Sequence, residues 1–142
     1  MSTVPPTSAS LPVAGGCLCG AIRYRITAAP IATTLCHCRS CRLASGAPAV
    51  AWVILPRDGL AIDRGEPVAF ASSPGKLRTF CGRCGTSLTY RRDDRPDVID
   101  VHTATLDDPG AFPPVREIWI EEKIPWMETN DRFTPYPRIS KG

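Results

Sequence analysis

The sequence predicts a mainly β fold with very little helix, pinned together through its cysteines. Three observations predict it. Short apolar or alternating runs recur between turn residues along most of the chain. Fifteen prolines and eleven glycines leave few windows long enough for a helix. Seven cysteines fall in three clusters, Cys17-Leu-Cys19, Cys36-His-Cys38-Arg-Ser-Cys41 and Cys81-Gly-Arg-Cys84, spacings that suit metal ions.

The elements follow in order. Residues 1–13, rich in Ser, Thr and Pro, read as a disordered tail, and residues 14–138 as a single domain. Residues 21–27 alternate apolar and polar and read as a half-buried strand. Residues 40–44 offer one or two turns of helix inside the second cysteine cluster. Residues 48–55 are nearly all apolar and read as a central strand. Strands at 67–71 and 77–80 lead to the third cluster, and a strand at 86–90 leaves it. Residues 97–106 form a long strand candidate that stops at Asp107-Asp-Pro-Gly110, a turn rather than a carboxylate pair. Residues 115–120 make the last strand.

Composition excludes several classes. The 142 residues carry ordinary hydrophobic and charged fractions, 43% and 22%, and are enough for one domain with a real core. A net charge of +3, with Lys and Arg scattered, does not support nucleic-acid binding. No stretch reaches the apolar length of a membrane span. The first ten residues have neither a basic start nor an apolar run, so a cytoplasmic setting is expected. There thiols stay reduced and available to metal, which disfavours the competing use of the cysteines as a disulfide framework.

The cysteine spacing carries the chemistry. Four ligands close a zinc site, whereas three leave a position for water or substrate, and seven cysteines supply both. Cys81-Gly-Arg-Cys84-Gly85 reads as a zinc knuckle in which Gly82 and Gly85 can take positive φ. Its partner pair is expected to be Cys17 and Cys19, which share one face if the segment is extended. Such a site would constrain the fold by on the order of 10 kcal/mol. Cys36, Cys38 and Cys41 would then hold a second ion with one position open. From spacing alone the two C-x-C arms can also exchange partners, leaving Cys41 free. His37 should point away from Cys36 and Cys38, so a hydrogen-bonded imidazole is favoured over a ligand.

Three thiolates on Zn²⁺ make a poor Lewis acid, so binding and deprotonating an external thiol is favoured over activating water. Arg39 and Arg42 flank this cluster and are candidates to bind the carboxylates of a thiol substrate. Arg78 and Lys123 are weaker candidates. His102 reads as structural, and Trp126 as packed over the sheet.

Three stretches, Gly15-Gly-Cys-Leu-Cys-Gly-Ala-Ile-Arg-Tyr24, Cys36-His-Cys-Arg-Ser-Cys41 and Phe80-Cys-Gly-Arg-Cys-Gly-Thr86, resemble the glutathione-dependent formaldehyde-activating enzyme family, whose domain is shared with centromere protein V. The likeness runs from Gly15 to Pro137. It implies a twisted, mostly antiparallel fold of the β-tent type. It also implies two zinc ions: a structural one on Cys17, Cys19, Cys81 and Cys84, and a catalytic one on Cys36, Cys38 and Cys41. The implied activity is that of a carbon–sulfur lyase handling the adduct of glutathione, or a similar thiol, with formaldehyde or another small aldehyde. Two other classes compete with it: a non-catalytic zinc module that binds a protein, with Trp119 and the Pro-rich tail as hints, and a redox sensor that releases metal on oxidation.

Overall fold

The computed structural model describes residues 10–138. These hold eleven strands and one α-helix: β1 (Val13–Gly16), β2 (Arg23–Ile26), β3 (Ala32–Cys36), α1 (Arg39–Ser45), β4 (Val50–Pro56), β5 (Leu60–Arg64), β6 (Val68–Ser73), β7 (Lys76–Phe80), β8 (Ser87–Arg92), β9 (Val98–His102), β10 (Arg116–Ile118) and β11 (Thr134–Pro135). The mainly β expectation holds. The tail expectation lies largely outside the described residues, but Val13, assigned to the tail, opens β1 by pairing with Ile26.

The strands form two sheets. A small antiparallel one runs β1-β2-β5, and a large one runs β11-β10-β3-β4-β9-β8-β7-β6. The large sheet is antiparallel from β3 to β6, while β10 runs parallel to both β3 and β11. The main core lies where the small sheet meets the large one. Ile22, Tyr24 and Ile26 pack there with Val53, Leu55, Leu88, Val101 and Phe112. A second apolar cluster joins Cys36 and Cys41 to Val50, Trp52 and Ile118, with Tyr90 and Trp119 against it.

β1, β3, β5 and β11 were not legible as strands, and the strand at 115–120 is not the last. In β3 every residue but Leu35 is buried. It lies between β10 and β4 with both faces covered, so no period of two survives. Its Thr33 hydroxyl donates to the Pro113 carbonyl at 2.8 Å, which satisfies a polar group inside. The long strand expected over 97–106 stops at His102. There the Thr105 hydroxyl donates to the His102 carbonyl at 2.7 Å, and residues 103–105 wind into a 3₁₀ turn. The strand expected over 115–120 ends at Ile118 because Trp119 takes a φ of 56°.

Candidate metal centres and cavity

The first cluster joins the two sheets. Cys17 and Cys19 follow β1 of the small sheet, and Cys81 and Cys84 fill the bend from β7 to β8 of the large one. Cys17 and Cys19 do not sit on an extended strand as expected. They lie in a turn, closed by the Gly20 N–H donating to the Cys17 carbonyl at 3.2 Å, with Gly20 at φ 80°. In the knuckle Gly85 takes φ 82°, and Gly82 does not take positive φ. Gly82 instead matters by size, since a Cβ there would come within 2.8 Å of Val68.

The four sulfurs lie within 4.8 Å of one another. Cys19 Sγ is 3.7 Å from Cys17 Sγ and 3.8 Å from Cys81 Sγ. Sulfurs about 2.3 Å from a tetrahedral zinc are about 3.8 Å apart, so the donor set fits that ion. Neutral donors point at these sulfurs: the Ile22 N–H reaches Cys17 Sγ at 3.2 Å and the Arg83 N–H reaches Cys81 Sγ at 3.4 Å. The Thr86 hydroxyl lies 3.2 Å from Cys84 Sγ. Its hydrogen bond, with that of its backbone, brings the Cys84 thiol down to about 5.

The second cluster is built differently. Cys36 ends β3, paired with Val50 of β4 and Ile118 of β10. Cys38 is the N-cap of α1, and its sulfur accepts from the Cys41 N–H at 3.3 Å, as a Ser or Asp oxygen usually does. Cys41 follows in the first helical turn, and Gly46 at φ 73° ends the helix. The three sulfurs also lie within 4.8 Å of one another. Cys36 and Cys41 are buried and Cys38 is half-buried. Hydrogen bonds with Cys36 and Cys41 draw the Cys38 thiol down to about 2, while the bond with Cys38 pushes Cys36 up.

His37 turns away from the sulfurs, as its place between them predicts. It is fully buried, with Nε2 3.0 Å from Glu117 Oε1. Its N–H donates to the Ile118 carbonyl at 3.0 Å, and the other Glu117 oxygen accepts from the Asn130 N–H at 3.2 Å. The pair thus fixes the backbone between two sulfurs against β10. His102 packs on Trp52 with ring centroids 4.2 Å apart, and burial lowers it to about 4, leaving it neutral at physiological pH.

The three cysteines form part of the wall of a cavity of about 300 Å³. Trp52, Tyr90 and Trp119 add aromatic surface, and Lys76, Arg78, Arg91, Arg92, Arg95 and Arg116 add positive charge. Asp100 of β9 also lines it. Burial raises its carboxyl to about 7 despite the opposing fields of Arg92, Arg95, Arg116 and Arg78. The four-cysteine group lines neither this cavity nor the neighbouring one.

Apart from Arg78, a weaker candidate in the sequence, the cationic wall escaped the sequence reading. Its residues come from β7, β8, the loop after β8 and β10, and only the strand order of the large sheet gathers them. Arg91-Arg92 with Arg95 was the available signal. Arg39 and Arg42, chosen for their place beside the cysteines, do not line this cavity: Arg39 borders the second, more open one, and Arg42 borders neither. The Lys123 ammonium donates to the Met127 carbonyl, and Trp126 is 70% exposed rather than packed.

Comparison with known proteins gives the chain's relatives and its family. A Halomonas elongata protein, provisionally named a glutathione-dependent formaldehyde-activating enzyme, is 28% identical over 138 residues, which covers 87% of each chain. A Schizosaccharomyces pombe protein named an uncharacterized lyase is 32% identical over 77 residues, 54% of this chain and 55% of its own. A crystal structure of a Rhodobacter sphaeroides protein shares the fold, with a TM-score of 0.58 at 19% identity over 87% of this chain and 98% of that one. The family model described as "Glutathione-dependent formaldehyde-activating enzyme" matches residues 12–122, and the chain belongs to that family.

Proposed function

We propose that the chain is a zinc-dependent carbon–sulfur lyase that makes or breaks the adduct of glutathione, or a similar acidic thiol, with formaldehyde or another small aldehyde. The observation that carries this reading is the division of labour among the cysteines. Three of the seven line a cationic cavity, and four lie apart from it between the sheets. Cys17, Cys19, Cys81 and Cys84 would hold a structural ion. Cys36, Cys38 and Cys41 would hold a catalytic one, which when bound supplies a position where an external thiol loses its proton.

The chain's own residues do the rest. Lys76 and the cavity arginines attract and orient a thiol that carries carboxylates. The aromatic walls formed by Trp52, Tyr90 and Trp119 restrict water around the sulfurs. The reaction balances without an oxidant: the thiol sulfur forms the C–S bond, the carbonyl π pair moves to oxygen, and the thiol proton ends there. Asp100, held near 7, can exchange that proton at neutral pH.

The test follows carbon-13 formaldehyde and glutathione by NMR at rates above the uncatalysed exchange. Acceleration that depends on the thiol and vanishes in Cys38→Ser supports the proposal. No acceleration by a protein shown to hold two metal ions rejects it for this pair of reactants. A readout independent of activity is the visible spectrum of the cobalt-loaded chain, which should shift saturably as glutathione is added.

A further inference from the structure

Among the described residues, Arg78 is the cationic side chain that contacts a sulfur of the three-cysteine group. Its Nη1 and Nη2 lie 3.9 and 3.8 Å from Cys41 Sγ. The strand register puts it there. Arg78 of β7 is directly paired with Tyr90 of β8, and its guanidinium lies over that ring at 4.5 Å from the centroid. Stacking of this kind holds the planar head in place. Its Nε is buried and has no hydrogen-bond partner among the described residues. Arg78 also borders both cavities.

The charge balance gives this placement a purpose. Three thiolates around a divalent ion carry one net negative charge, in a half-enclosed site where water screens it weakly. A fourth, anionic ligand would double that charge. The four-cysteine group reaches the doubled charge with neutral donors, but it keeps Cys19 exposed to solvent. The three-cysteine group has two of its sulfurs buried and, besides the Cys41 N–H on Cys38 Sγ, has a guanidinium.

We propose that Arg78 is the built-in counter-ion of the three-cysteine site, a positioning residue that makes an anionic fourth ligand acceptable there. The proposal rests on Cys36, Cys38 and Cys41 holding a metal ion, as in the function proposed above, and adds a preference for a thiolate over a neutral ligand.

The test uses the full chain loaded with cobalt(II), as wild type, Arg78→Gln and Arg78→Lys. Cys38→Ser supplies the spectrum of the four-cysteine site alone. Each protein is titrated with thiocyanate, an anion, and with imidazole, a neutral ligand. Arg78→Gln should weaken thiocyanate binding at least about tenfold and leave imidazole binding within about twofold. Arg78→Lys should recover most of the loss, which a purely steric role would not predict. Equal weakening of both ligands, or of neither, overturns the proposal, and so does a wild-type site that takes no ligand at all. Glutathione is titrated in parallel. Wild-type protein that binds thiocyanate but not glutathione rejects the proposed substrate and leaves the role of Arg78 decided by the other two ligands.

Discussion

The four-cysteine group ties together backbone from the two sheets, whereas the three-cysteine group lies on one β-strand end and one helix start beside a cavity. Both offer only sulfur. In the first, residues more than sixty positions apart meet, and neutral N–H and O–H donors support the sulfurs. In the second, six consecutive residues supply every sulfur, and an arginine from a distant strand supplies the charge. A metal ion in the first would hold the fold, while one in the second would add little to it. On the proposed function, surroundings rather than ligand type would separate the structural site from the chemical one.

Removing one sulfur from each group tests this most sharply. Cys81→Ser should destabilise the protein by on the order of 5 kcal/mol, enough to leave it largely unfolded, because the link between the sheets is lost. Thermal unfolding by circular dichroism reads this directly, and a chelator strong enough to strip both sites should reproduce it. Cys38→Ser should behave in the opposite way. A serine hydroxyl can accept from the Cys41 N–H and cap α1 as the sulfur does, so stability should change by less than about 1 kcal/mol. Turnover should fall at least about 100-fold. If the two variants were equally unstable, the division between the groups would be wrong.

The pair behind the second cluster gives the next effect. Glu117 is 1% exposed and is the hydrogen-bond partner of buried His37. Glu117→Ala leaves that imidazole unpaired and frees the Asn130 N–H, at a cost of about 3 kcal/mol. Urea unfolding measures it. Glu117→Gln, which keeps an acceptor of similar shape, should cost less than half as much. Equal losses would mean that shape, not the hydrogen bond, secures the loop.

How much of this was legible depends on the distance over which each signal acts. The three cysteine clusters were readable because a C-x-C or C-x-x-C is a local pattern with a fixed reach, whereas spacing left open which clusters share a site and only the family resemblance paired them. The turn at Cys17–Cys19 was not readable, because an extended segment and a turn both bring the two sulfurs to one ion. The short helix was readable from the lack of Pro and Gly over residues 39–45. β3 was hidden by its burial on both faces, and the cationic wall by its dispersal over four elements. Nearness in sequence did not bring Arg39 and Arg42 to the wall that the three cysteines line, since successive side chains on a helix point about 100° apart. Nothing local marks Glu117 as the partner of His37, eighty positions away.

The smallest expected effect sharpens the comparison from the cavity side. Asp100 ionises near 7 in the folded protein, well above the ordinary carboxyl value, because burial disfavours its charge. Between the unfolded value of about 4 and the folded value, the folded state binds the extra proton. Its stability therefore falls as pH rises through that window. Asp100→Asn removes the cost and should raise stability at pH 8 by about 1–2 kcal/mol, with no gain at pH 4. Unfolding curves at the two pH values decide it. If the same variant also slows turnover, the strain is retained for proton exchange in the cavity, a cost that nothing at the four-cysteine group has to bear. A gain in stability at full activity would instead make Asp100 a partner for the arginines that surround it, and leave the proton to the solvent.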